Sequence, residues 1–480
     1  MSNESPDGDT TGSDVTATSI HVPAAANSGA IGAMGRDLPD GEHSIPRKQV
    51  FSWALWDWAT QPFNSVILTF VFVALYLVGD SFIDPAIVAL GTDSADYKAA
   101  SAALDSQFGF ALFIGGLFVA VLAPVMGQRG DSSGNRKRWL LINTLLLIVC
   151  MALLFFVEAA PAYFVLGISL VSAGSVFSEI AGVHYNAMLA QVSTRRTVGK
   201  VSGLGWGFGY LGGIVALVIV VIVTQLDWFG MDTSNGMAYR IIALGCAVWA
   251  IAFSIPIMLN VSESAGRTDR PKVGFLRSYV VLGHDVARIF RTSRSTFWFL
   301  IASAIYRDGL AGVFAFGAII AAKVFGFSNN EVLIFGIVAN LVAGISTILS
   351  GRLDDRFGAR AVIMTALGGL IVASLVVFFL HDQGVIVFWV VGLVLCMFVG
   401  PAQASSRSLL ARLAPAGHEG EIFGLYATTG RAASFMAPGL WALFTSVFVG
   451  THWGILGIAI VLLVGFVFML FVRTPQHVRG

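Results

Sequence analysis

Charge is what this chain has least of. Only 12% of its 480 residues are Asp, Glu, Lys or Arg, about half the roughly 25% usual in soluble domains. With 29 basic and 28 acidic side chains against 56% hydrophobic residues, a soluble fold could not cover its surface, which argues against soluble enzymes and disordered scaffolds. The net charge of +1 leaves no basic excess to meet phosphates, so a nucleic-acid partner is not expected. The three cysteines, Cys150, Cys246 and Cys396, lie inside apolar runs and give neither a disulfide framework nor a metal-ligand spacing. No P-loop and no HExxH occurs. No enzyme activity, cofactor or metal is expected, nor ATP-driven transport by this chain alone.

What is abundant is apolar length. Thirty-seven Phe, 11 Trp and 53 Gly accompany a mean hydropathy of +0.79. From Phe51 onward, runs long enough to cross a hydrocarbon core of ~30 Å recur. Twelve are expected, at about 51–79, 107–128, 138–158, 161–190, 201–226, 240–260, 297–322, 332–350, 361–380, 385–411, 421–446 and 452–472. No strand-like alternation runs through them, so the expected class is an all-α polytopic membrane protein rather than a barrel. Residues 1–46 hold no aromatic residue and no apolar stretch behind a basic start. They read as a disordered tail, not a signal peptide.

Lys and Arg set the orientation. If the N-terminus is cytoplasmic and the spans alternate, 22 basic residues from Arg47 onward fall on the cytoplasmic side, and only Lys98, Arg240 and Lys323 fall opposite. Both termini are therefore expected in the cytoplasm, with the protein in the cell (plasma or inner) membrane. The division is a tail over 1–46, six spans over 47–260, a basic cytoplasmic loop over 261–296, six spans over 297–473 and a tail over 474–480. Within the loop, Phe275 to Phe290 has apolar residues at helical spacing, which fits an amphipathic helix on the membrane surface or a solvated linker with some helix.

Two cytoplasmic loops repeat a pattern. Gly127-Gln-Arg-Gly-Asp131-Ser-Ser-Gly134-Asn-Arg136-Lys137 follows span two, and Gly351-Arg-Leu-Asp-Asp355-Arg356-Phe-Gly358-Ala-Arg360 follows span eight, at an offset of 224. Gly203 and Gly209 in span five correspond to Gly424 and Gly430 in span eleven, at an offset of 221. Two landmarks in near-constant register mark parallel repeats. The paired loops resemble the G-x-x-x-D-R-x-G-R-R/K motif of the major facilitator superfamily. The first copy departs from it, with Ser132 where the family prefers Arg and Asn135 in the next basic place. The resemblance implies twelve helices in two pseudo-symmetric six-helix halves.

A narrower resemblance rests on Ser52-Trp53-Ala54-Leu55-Trp56-Asp57-Trp58-Ala59, Tyr185-Asn186-Ala187, the glycine-rich run from Val201 to Gly213, Tyr306-Arg307-Asp308-Gly309, Gly400-Pro401-Ala402-Gln403-Ala404-Ser405-Ser406-Arg407-Ser408 and Phe423-Gly424-Leu425-Tyr426. These motifs resemble the bacterial relatives of the fungal vacuolar effluxers, autophagy-linked permeases grouped as an "unknown major facilitator" family. That family implies amino-acid efflux from the vacuole in fungi. In its fold, Asp131 would sit by the start of span eleven and Asp355 by the start of span five, where a helix N-terminus favours a carboxylate. With Gly127, Gly134, Arg136, Gly351, Arg356, Gly358 and Arg360, they would latch the halves together. Without that fold, the same loops read as tight turns.

Ionisable groups inside spans are expensive and therefore candidates for function. They are Asp57, Glu179, His184, Arg307, Asp308, Arg407 and Arg431, with Asp308 and Arg431 placed nearest the midplane. Three acids and three arginines permit pairing across a central cavity, either as static ion pairs or as pairs that exchange during alternating access. An unpaired arginine suits a substrate carboxylate, and Asp308 is the first choice for a coupling proton. Gln61 and Asn64 flank Pro62, which bends span one. Asn186 and Ser405-Ser406 are weaker polar candidates of the same kind, and Tyr306 adjoins Arg307. His184 reads as a hydrogen-bonded packing residue, and Trp53, Trp56 and Trp58 as an interfacial aromatic belt. Gly207-Phe-Gly209-Tyr-Leu-Gly212 matches a dinucleotide fingerprint, but within an apolar span it reads as close helix packing.

The expected function is secondary transport of a small organic solute, with amino acids or similar zwitterions exported and a proton as candidate coupling ion. Another solute (an organic acid, a sugar or a xenobiotic) and a sensor with a transporter fold remain the alternatives. Expected partners are the solute, the lipid bilayer and a candidate proton, with protein partners left open.

Overall fold

The computed structural model describes residues 45–133, 135–193, 198–225, 235–263, 275–413, 425–426 and 429–473. Among them, eleven helices are long and apolar enough to cross a membrane: Arg47–Leu77, Ala95–Leu122, Arg136–Phe156, Pro161–Asn186, Leu204–Thr224, Met237–Asn260, Arg294–Lys323, Asn329–Thr347, Ala359–Phe379, Val385–Leu410 and Trp453–Leu470. These are spans one to ten and span twelve of the sequence reading. The eleventh run is broken. After a turn over 433–435 the chain restarts as the helix Met436–Val447. Pro438 sits in the first turn of that helix, where its missing N–H leaves no bond unmade.

Span one is apolar all round because it is enclosed all round. It is α-helical over Arg47–Pro62, and from Phe63 it widens into π-helical turns, Phe63–Phe70 and Phe72–Leu77. The Val71 N–H donates to the Val66 carbonyl five residues back, at 3.0 Å. Pro62 was expected to bend the span; its effect here is a change of helix width, a form that recurs at functional sites. Between Pro62 and Val78 only Asn64, Leu68 and Leu75 are not fully buried.

Span two begins at Ala95, twelve residues earlier than expected. Its first turns are small residues between Lys98 and Asp105, too weakly apolar to stand out in the sequence, and the earlier start carries Asp105 into the helix. Span eight opens on a capping box: the Ser328 hydroxyl accepts from the Glu331 N–H at 3.3 Å, and Glu331 accepts from the Ser328 N–H at 2.8 Å. It closes at Gly358, whose φ of +87° lets one residue end span eight and start span nine.

Neighbouring helices pack spans three and four, nine and ten, and seven and twelve against one another, and span one against five and six. Spans one to six meet the later ones chiefly where span two packs on Met436–Val447, span five on span eight, and span one on span seven. The end of the bundle where span one starts is called here the basic face, and the other the far face.

On the far face, the His381 and His452 rings stack at 4.3 Å, against Phe378 and Trp453. His381 also approaches Asp382 at 3.2 Å. Burial, and then the neighbouring His381, hold the His452 imidazole below the ordinary histidine range, with Asp382 opposing. A histidine kept neutral in the fold supports stability above its unfolded pKa near 6.5 and loses that support as pH falls below it. The thermal midpoint is expected to drop between pH 7.5 and 5.5, and His452→Gln to flatten that dependence. A midpoint with the same slope in both proteins contradicts the assignment.

Candidate functional site

Between the two groups of spans lies a cluster of charges set into helices by glycines. Glu179 of span four meets Arg431 of span eleven, Nε to Oε2 at 3.0 Å, and the same nitrogen donates to the Glu179 carbonyl at 3.1 Å. Asp57 of span one faces Arg407 of span ten, whose charge acts on it. The Arg407 guanidinium lies over the Trp206 ring at 4.7 Å. One expected acid–arginine ion pair, Glu179–Arg431, is therefore present and bridges an early and a late span, while Arg407 acts on Asp57 through its charge.

Asp308 does not take an arginine. Its Oδ2 accepts from the Ala437 N–H at 2.6 Å, at the first turn of Met436–Val447, and the side chain is 5% exposed. The break in span eleven creates a second helix N-terminus inside the bundle, and its unpaired N–H groups are the partner that a carboxylate would otherwise seek in a cation. Arg307 is left without a carboxylate within ion-pair distance among the described residues. It donates to the Tyr426 carbonyl at 3.1 Å and stands over the Tyr426 ring at 4.2 Å. Beside it, Tyr306 is wholly buried and shares a 2.5 Å hydrogen bond with the Ser406 hydroxyl.

Three of these charged side chains, Arg307, Arg431 and Asp57, occupy notches left by glycines on facing helices. A Cβ at Gly430 would lie 2.5 Å from Arg307 Nη1, one at Gly182 2.8 Å from Arg431 Nη2, and one at Gly209 3.2 Å from Asp57 Cγ. The fingerprint-like run in span five follows the same logic. Gly205 abuts Trp53, Gly209 Asp57, Gly212 the Trp58 backbone and Gly213 Ser65, whereas Gly207 meets nothing. These are close approaches of span five to span one. Gly430→Ala would displace the flexible tip of Arg307 and is expected to leave the melting temperature nearly unchanged while lowering flux. Gly116→Ala meets the Ser434 and Phe435 backbone at 2.6–2.9 Å, which cannot swing aside, so it is expected to destabilise. Equal stability losses in the two variants would contradict this distinction.

The remaining polar candidates are dispersed. Gln61 donates to the Ser65 hydroxyl at 3.2 Å, Asn64 is half-buried and Asn186 exposed. Among the described residues, the buried Ser405 hydroxyl has no hydrogen-bond partner. His184 is buried and stacks on Trp139, and its Nε2 makes no hydrogen bond among the described residues, where the sequence led us to expect a hydrogen-bonded packing residue. The tryptophans form no interfacial belt: Trp53 and Trp56 are buried on either side of Tyr185, at 4.4 and 4.5 Å. Trp58 stacks on Trp249 at 5.5 Å. Enclosure of span one turns these indoles inward.

Of the latch residues, Gly134 and the side-chain surroundings of Gly127, Asp131, Gly351 and Asp355 lie outside what is described, as does the start of span eleven. Arg136 is buried, Arg356 lies over Phe357, and Arg360 donates to the Leu470 carbonyl at 3.3 Å. Asp354, next to the aspartate chosen from the motif, is buried.

One constellation was missed by sequence reasoning. On the far face, Lys323 Nζ bonds Asp105 Oδ1 at 2.6 Å, Thr451 donates to the other oxygen, and Trp441 donates to the Asp105 carbonyl at 3.3 Å. Phe316 stacks on Trp441 at 4.2 Å, with Phe108 edge-on to it. Asp105 is fully buried. Spans two and seven, from opposite sides of the linker, are thus tied together there by an ion pair under an aromatic seal.

A many-spanning helical protein whose early and late spans meet along a charged seam, closed at one face, belongs to the transporters of the major facilitator fold. The comparisons agree. The family described as "Vacuole effluxer Atg22 like" matches residues 46–479, and the chain belongs to it. An uncharacterized MFS-type transporter, YxiO of Bacillus subtilis (strain 168), is 26% identical over 88% of this chain and 95% of its own length. Autophagy-related protein 22 of Cryptococcus neoformans is 24% identical over 58% of this chain and 53% of its own. A D-xylose-proton symporter structure superposes with a TM-score of 0.63 at 15% identity, over 90% of this chain and 99% of that one, which shows the fold. The protein is an integral membrane transporter, not an enzyme.

Proposed function

We propose that the protein exports amino acids or similar small zwitterions by alternating access, from a cell membrane in which both termini are cytoplasmic. The orientation is supported by the 22 to 3 division of basic residues. The observation that carries the substrate reading is Arg307: held by a carbonyl and a ring, it keeps guanidinium donors for a ligand carboxylate. Glu179, paired with Arg431, and Asp57, under the charge of Arg407, offer an anionic partner for an ammonium group once those cations move. Tyr306, Gln61, Asn64 and Asn186 are proposed to meet the solute only as the spans rearrange, since here Tyr306 is wholly buried and the other three are dispersed.

Proton coupling is assigned to Asp308. Its present partner is a backbone N–H, which binds the carboxylate more strongly than the acid, so movement of Met436–Val447 changes its proton affinity. In proteoliposomes, labelled amino acids should accumulate in response to an imposed pH gradient. Asp308→Asn should abolish that accumulation while sparing counterflow. If the variant still accumulates solute, Asp308 is not the coupling group. If sugars or dicarboxylates are carried and amino acids are not, the zwitterion reading fails. The motif loops are proposed as the latch on the basic face.

A further inference from the structure

The loop between spans six and seven contains an 18-residue helix, Phe275–Thr292, which none of the transport roles above employs. Its sequence distributes the side chains unevenly. At about 100° per residue, Arg277, His284, Arg288 and Arg291 fall within a wedge of roughly 60°, and all four are exposed. Beside that stripe runs an apolar shelf: Val280 is 57% and Phe290 43% exposed, with Gly283 and Ala287 exposed between them. Arg294, just beyond the helix, lies over the Phe290 ring at 5.7 Å. Beyond the shelf the helix is anchored: Ile289 is buried and Tyr279 donates to the Val121 carbonyl of span two, while Phe290, at the edge of the shelf, meets Phe297 of span seven edge-on at 4.9 Å.

A row of cations beside exposed apolar side chains, on a helix joined at both ends to membrane spans, matches a bilayer interface, where chains reach the acyl boundary and guanidinium groups reach phosphate. We propose that this linker helix is a binding site for anionic phospholipid headgroups. Because it touches span two on one side of the linker and span seven on the other, lipid charge bears on how the two groups of spans sit together. Arginine is the suitable residue for this role, since its planar donors pair with phosphate oxygens two at a time. The proposal stands independently of which solute is carried.

Gly283 gives the test its probe site, since a Cβ there meets nothing, and Cys150, Cys246 and Cys396 are buried and hidden from reagents. The full-length Gly283→Cys protein, labelled with a polarity-sensitive fluorophore, is reconstituted in phosphatidylcholine vesicles and in mixtures with phosphatidylglycerol. Emission should shift to the blue as phosphatidylglycerol rises, and added salt should reverse the shift. Arg277→Gln and Arg291→Gln should each weaken the apparent affinity for phosphatidylglycerol roughly fivefold. Emission that ignores lipid charge, or a shift that survives both substitutions and high salt, overturns the proposal. A shift produced by inorganic phosphate over phosphatidylcholine alone would point to a soluble anion and overturn it equally. The salt response of the protein with its arginines intact decides the matter even where a variant folds poorly.

Discussion

Lys323→Met is expected to open the far face. The substitution leaves Asp105 buried with one hydroxyl as its remaining side-chain partner, and removing one member of a buried ion pair typically costs about 3–5 kcal/mol. That loss falls on the closed arrangement, because an opened far face hydrates the carboxylate. At ~1.4 kcal/mol per tenfold, the closed-to-open ratio should fall by a factor on the order of hundreds or more. Ser106 offers a reporter, since its hydroxyl donates to the Ala442 carbonyl at 3.0 Å across the same contact. Ser106→Cys should react slowly with a bulky maleimide in the parent protein and rapidly beside Lys323→Met. Adding Asp105→Asn should restore slow labelling, because it removes the stranded charge. Labelling rates that do not respond to Lys323 would show that the aromatic packing of Phe108, Phe316 and Trp441, not the ion pair, closes this face.

Arg307→Lys is expected to impair solute binding by roughly tenfold to a hundredfold, the range of 1.5–3 kcal/mol for hydrogen bonds to charged groups. Lysine keeps the charge but replaces a planar fork with a point, so the loss should appear in KM for uptake and in the affinity for unlabelled competitor. Arg431→Lys serves as the comparison. Its partner is Glu179, so the same exchange there should disturb the seam between spans four and eleven more than affinity. Normal affinity in Arg307→Lys, or a larger affinity loss in Arg431→Lys, would transfer the carboxylate site to Arg431.

Composition and the length of apolar runs placed eleven of the twelve expected spans, because burial in hydrocarbon imposes length and apolarity on every span alike. The errors share a cause: the sequence reports polarity averaged over a window, whereas function depends on local departures from it. Span two starts among alanines and serines between Lys98 and Asp105, so its average is mild, and an expected start at 107 leaves the buried Asp105 just outside the span. Lys323 was counted only as a topological charge for the same reason. The break at 433–435 is marked in the sequence by Pro438, a first-turn proline that suits a helix start, but the helix N-terminus it exposes gives Asp308 a backbone partner that no list of side chains contains. Asp105 was recoverable: an acid ten residues into a helix that has a lysine counterpart at the matching end of span seven is a signal worth seeking. Pairing of Glu179 with Arg431, by contrast, depends on how spans four and eleven face each other, which periodicity does not record.

The notches at Gly182, Gly209 and Gly430 change what a mutational survey of this transporter measures. Replacing residues one at a time with alanine is ordinarily a subtraction, and a hit is attributed to the atoms removed. At these three positions alanine is an addition, and the methyl group arrives where Arg431, Asp57 or Arg307 already stands. A loss of activity there reports on the neighbour's charge, not on the glycine. A second-site change that shortens that neighbour, such as Asp57→Ser beside Gly209→Ala, should relieve crowding without restoring activity. Crowding and charge can thus be separated experimentally at the same place.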